Sequence, residues 1–210
     1  MASFLSNLRY VAWTALAVGA LFLIYFTTLS PTPLGDTVFW QAVWRWTHVL
    51  AGVMWIGHLW YFNFTQIPNA PKIPEEHRGP SIGKVIAPAA LFWFRWGAMF
   101  TLITGLLLAW NRGYLFEALT FGALDDPSFA VPRTIFIGIG MWLAIVMWFN
   151  VWFIIWPNQQ KALNIDNKHP DLDAAAKAAA AKTAMLLSRV NTFLSVPMLV
   201  AMTGTSTLFG

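Results

Sequence analysis

The stretch Phe39–Phe64, FWQAVWRWTHVLAGVMWIGHLWYFNF, is apolar over a membrane-length run and carries Arg45, His48 and His58 inside it. About 20 predominantly apolar residues cross a bilayer as a helix. Only a helix or a closed barrel satisfies every backbone group there. Ionisable groups in such a segment are costly, so they face a bundle interior and take a partner. Four more segments of similar length flank it, at Tyr10–Leu29, Ile86–Trp110, Arg133–Trp156 and Ala184–Phe209. The chain therefore reads as an all-α integral membrane protein with five transmembrane helices. Residues 1–38 form an extra N-terminal span, and residues 39–210 form a four-span bundle.

Composition supports this class. Of 210 residues, 58% are hydrophobic and 10% charged, against roughly 25% charge in a soluble domain. Trp and Phe are abundant, as aromatic belts at the two membrane interfaces would require. There is no cysteine, which excludes disulfides, thiolate metal sites, iron–sulfur clusters and covalently attached c-type haem. The net charge of +4 belongs to basic loops and reads as topology, with no nucleic-acid partner. The TTLSPTPLG run after the first segment is a poor cleavage site, so that segment is expected to be retained.

Lysines and arginines cluster at alternate ends of the segments. Arg9 lies near the N-terminus, Lys72, Arg78 and Lys84 follow the second segment, and Lys161, Lys168, Lys177 and Lys182 follow the fourth. The positive-inside rule then places the N-terminus in the cytoplasm and the C-terminus outside. Prolines 68, 71 and 74 are expected to end the second helix, Pro157 the fourth, and Pro197 to kink the fifth. The alanine-rich run after Asp171 predicts a helix from about Leu172 continuous with the fifth segment.

All nine acids fall in the connecting loops. The anion that balances the membrane-level arginines must then come from outside the spans. At ~1.5 Å rise per residue, His58, Arg95, Asn150 and Asn191 fall ~5–9 Å to the cytoplasmic side of the midplane, with Arg189 a little deeper. Two guanidiniums with amides suit a planar or carboxylate-bearing anion. The plainer alternative is that the arginines snorkel to phosphates and the asparagines glue helices together. His48 and His58 lie ~15 Å apart along the axis and about 80° apart around it, so they cannot share one iron. His48 is a candidate single axial ligand for haem b, the metal in question being its iron, with Arg45 one turn away as a propionate partner. Hydrogen bonding to a neighbouring helix is the competing role for each histidine. His58 suits proton transfer near neutral pH.

Five runs are more specific: RWTHVLAGVMWIG (45–57), NFTQIPNAPKIP (63–74), VIAPAALFWFRWGAMFTLITG (85–105), FNVWFIIWPNQQKAL (149–163) and SRVNTFLSVPML (188–199). They resemble short bacterial membrane proteins of the urate hydroxylase-like family, named after the membrane domain of a cytochrome c-linked urate hydroxylase. The resemblance runs from about Phe39 to the C-terminus. It implies interest in His48, His58, Arg95, Asn150, Arg189 and Asn191. These 210 residues contain no cytochrome c domain, so the resemblance implies a separate electron carrier. The expectation is a membrane redox protein with Arg95, Asn150, Arg189 and Asn191 holding an anionic or haem-like ligand, and His58 moving a proton. The rival expectation is a non-catalytic subunit of a larger respiratory or photosynthetic complex, packed against other membrane subunits.

Overall fold

The computed structural model describes residues 2–124, 128 and 131–209, and every regular element among them is a helix. Asp125 and Asp126, two of the acids assigned to loops, lie outside the described residues. Helix α1 is Leu8–Thr28, capped by Asn7 Oδ1, which accepts from Arg9 N at 3.1 Å. Helix α2 is Thr37–Trp60, capped by Asp36, and continues through a π-helical turn, Tyr61–Gln66, to Asn69. Helix α3 is Ala87–Asn111, preceded by Glu75–Arg78 and a second π segment, Gly79–Ile86. The short α4, Leu115–Leu119, leads to α5, Pro132–Phe149. A third π segment, Asn150–Ile155, carries α5 on to Leu163. Helix α6 is Ala174–Leu208, capped by Asp173, and runs unbroken through Pro197.

Four of these helical runs are long and apolar enough to cross a membrane: Leu8–Thr28, Glu75–Asn111, Pro132–Leu163 and Ala174–Leu208. Helix α2 has the length, but its histidines, Arg45 and many tryptophans lower its mean hydropathy, and it is not one of the four. Large apolar side chains face outward along the bundle, among them Phe193, Trp13 and Phe64. Such a surface is that of a protein in contact with a lipid bilayer.

Two of the proline stops expected from the sequence do not occur. Pro68 and Pro157 sit inside continuous helical runs, because the chain widens before each. A proline has no N–H and its ring clashes with the carbonyl four residues back. Here the residue just before each proline donates five residues back instead: Ile67 to Phe62 O, Ala87 to Ile82 O, and Trp156 to Val151 O. All three π segments end two residues before a proline, at Pro68, Pro88 and Pro157.

Packing rests on small residues and buried polar groups, as in membrane bundles generally. Helices α2 and α3 cross closely where Gly97 meets Trp55; a Cβ on Gly97 would lie 3.0 Å from the Trp55 backbone nitrogen. Helices α5 and α6 cross where a Cβ on Gly140 would lie 2.9 Å from Ala201 Cβ. The inward seam of α6 is Ala180, Ala184, Ser188, Asn191, Ser195, Met198, Ala201 and Thr205. Steps of three and four residues keep these on one face. Helix α1 buries no residue and packs sparsely against α2.

Candidate functional site

The hydroxyl and amide seam of α6 is the polar centre of the bundle. Asn63 Nδ2 donates to Ser188 Oγ at 2.8 Å, Trp60 Nε1 to Ser195 Oγ at 3.0 Å, and Asn150 Nδ2 to Asn191 Oδ1 at 2.9 Å. Asn191, fully buried, donates in turn to Met147 O at 2.9 Å. The structure thus brings Asn150 and Asn191 together, and they bind each other. Arg189 is not part of this cluster. It neighbours Ser188 in sequence but points out of the bundle, exposed and with no ion pair among the described residues. The five residues that depth alone placed at one level therefore do not form one hydrogen-bonded cluster.

Arg95 stands on α3 against the third π segment. Its guanidinium carbon lies 3.8 Å from the centre of the Trp156 ring, 5.1 Å from Trp152 and 5.8 Å from Trp96. A guanidinium on aromatic faces gains about 0.5–2 kcal/mol each when desolvated. No carboxylate lies within 4 Å of it among the described residues. Asp166 is the acid whose charge it feels, and that carboxylate pairs with Lys168 at 3.6 Å. Arg95 Nε is buried without a partner, and so are the indole N–H groups of Trp148 and Trp152. Donors here outnumber acceptors.

The histidines share one feature. His48 Nδ1 lies 2.9 Å from Thr101 O across the α2–α3 contact, and His58 Nδ1 lies 2.7 Å from Met54 O on its own helix. A carbonyl partner makes Nδ1 the protonated nitrogen, which leaves Nε2 free to accept a proton or ligate a metal. The His48 ring is pressed on Gly105, where an added Cβ would lie 2.8 Å from Cε1. His58 opens onto a groove of about 790 Å³ lined by Val53, Gly57, Tyr61, Ala89 and Trp93 among others. A haem-like macrocycle fits the His58 groove better than the wedge at His48, because the groove has small residues on its floor and the other has backbone. Each histidine keeps one ring nitrogen, Nε2, outside these bonds. Among the described residues no three His, Cys, Asp or Glu side chains gather to hold a metal ion. Arg45 is exposed, with no ion pair among the described residues.

A second cavity, which the sequence reading missed, lies on the other side of the α2–α3 contact. Tyr61 and Ala90 line the groove; their neighbours Phe62 and Leu91 line this cavity. Its polar groups are Gln66, Gln159 and Ser188. The signal available in sequence is the proline that closes a long apolar run at Pro68 and Pro157 and opens one at Pro88.

These features are those of an all-helical bundle, among the described residues, with four helices long and apolar enough to cross a membrane and polar groups held inside it. Residues 111–207 match the family model described as urate oxidase N-terminal, a little under half of the 210 residues. The matched segment holds Asn150, Trp152, Trp156, Arg189 and Asn191; His48, His58 and Arg95 lie before it. No curated protein and no solved structure matches the chain.

Proposed function

We propose that the chain is an integral membrane redox protein, related to urate oxidases through residues 111–207, that holds an anionic planar ligand against Arg95 and passes electrons to a separate carrier. The observation behind the reading is the donor excess at Arg95: a half-buried guanidinium stacked on Trp156, with its Nε and the indole N–H of the adjacent Trp152 unpaired. An anion rich in carbonyl oxygens would accept from these donors, since guanidinium binds such groups with charge-assisted hydrogen bonds. The name of the related family points to urate, which is planar, anionic near neutral pH and rich in carbonyls.

In this reading α2 is a fifth crossing helix, the N-terminus is cytoplasmic and the C-terminus outside, and the membrane is the bacterial inner one. Arg95 orients the anion, and His58, with Nε2 free, accepts or returns a proton. Were a haem-like group held in this groove through His58 Nε2, that nitrogen would no longer move a proton, and the group would supply one-electron chemistry. Absorbance of the purified protein, oxidised and reduced, together with thermal unfolding with and without urate, tests the reading. A redox-sensitive visible band or a urate-dependent rise in Tm is expected. Absence of both removes it.

A second reading is an accessory subunit of a larger complex. It draws on α1, which buries nothing, and on Arg45 and Arg189, exposed at membrane level with no acid partner among the described residues. Such surfaces suit contact with other subunits. Stable co-purification with partner chains in mild detergent favours it; a monodisperse single chain that binds urate counts against it.

A further inference from the structure

The three proline-linked π segments converge on one place. Gln66 ends the first, Ala87 follows the second and Ile155 ends the third, and all three line the cavity of about 260 Å³. π turns widen a helix and recur at functional sites. The inner end of the cavity is walled by buried Phe62, Leu91, Phe94 and Ser188. Its rim is Pro71 and Ala181, both exposed, at the basic end of the bundle. No lining residue is charged. Gln66 Oε1 is buried and has no hydrogen-bond partner.

We propose that this cavity binds a neutral aromatic molecule carrying a hydroxyl or ring N–H, and that Gln66 turns its amide oxygen, shielded in the empty cavity, toward that donor. Three features set that class. An apolar cavity of about 150 Å³ accepts benzene, so this one has room for a substituted ring or a fused pair. A charged ligand would be stripped of water with no countercharge in the wall. A buried acceptor left unpaired is costly, and a donor on the ligand removes that cost. The proposal is independent of the anion reading at Arg95, whose side chain is absent from this wall.

The test uses the full chain in lipid nanodiscs and four probes: p-cresol, indole, toluene and benzoate. Thermal shift and saturation-transfer NMR report binding. Saturable binding is expected for p-cresol or indole, with toluene about tenfold weaker and benzoate absent; which of the two binds tells whether hydroxyl or ring N–H is recognised. Gln66→Leu should bring p-cresol and toluene to within about threefold of each other without lowering the Tm of the empty protein. Ala181→Trp, at the exposed rim, should abolish binding. Equal affinity for p-cresol and toluene in the unaltered protein overturns the proposal, as does binding that survives both substitutions. A cavity that takes none of the four probes, holding water only, overturns it too. Gln66→Leu carries the test alone if Ala181→Trp does not fold. Urate binding at Arg95 should persist in Gln66→Leu, so the two sites fail separately.

Discussion

Asn191→Ala is the substitution with the most to lose. The Asn191 side chain is fully buried and makes two bonds across the α5–α6 interface, accepting from Asn150 Nδ2 and donating to Met147 O, each 2.9 Å. Interhelical hydrogen bonds in a membrane protein are worth about 0.6 kcal/mol on average, so the pair contributes about 1 kcal/mol. Truncation also strands the Asn150 amide in a buried setting, at about 1–3 kcal/mol. The expected loss is therefore about 2–4 kcal/mol. Removing both partners is gentler, because no donor is left behind. Asn150→Leu with Asn191→Leu should lose less than Asn191→Leu alone, so the cycle built on the two leucine variants should show a coupling larger than the loss in Asn150→Leu. The assay is reversible unfolding in mixed micelles, followed by tryptophan fluorescence at a fixed detergent ratio. A loss under about 0.5 kcal/mol for Asn191→Ala, or strictly additive effects in the cycle, would refute the reasoning.

Arg95→Met should keep stability within about 1 kcal/mol of the parent, since the lost cation–π contacts are offset by removal of an unpaired buried N–H; chemical unfolding checks this. Gly105→Ala should displace the His48 ring, break its bond to Thr101 O and destabilise by about 1–3 kcal/mol, measured by the same unfolding. Gly138→Ala should cost more than Gly105→Ala, because its added methyl runs into the Ala118 carbonyl rather than a side chain; thermal melts of the two variants rank them. Burial pushes the Tyr114 phenol up, and Arg112, Arg45 and Arg133 pull it partly back. Its contribution to stability is complete below the unfolded value of about 10 and falls as pH rises through the higher folded value. Tyr114→Phe should therefore blunt alkaline destabilisation, seen as a smaller fall in Tm above pH 10.

The apolar runs were legible because hydrocarbon demands length and apolarity, which sequence states directly. The helix that becomes α6 was legible too: the alanine run and a nearby aspartate gave an element that begins at Ala174 with Asp173 as its cap. Depth arithmetic put Asn150 and Asn191 at one level, and they do bond. Depth says nothing of azimuth, however. Arg189 and Ser188 are neighbours in sequence, yet one points outward and the other into the seam. Three π segments also shift the facing of every residue beyond them, so extrapolating a regular helical period through Pro68 or Pro157 loses the face. The Trp156 ring beneath Arg95 was hidden for that reason, since it follows the third π segment directly.

Equilibrium dialysis of radiolabelled urate against the nanodisc-embedded protein tests the anion reading most directly. Saturable binding at one site per chain, lost in Arg95→Met and kept in Arg189→Met, is the result predicted. No binding to the parent, or equal binding to Arg95→Met, would contradict it.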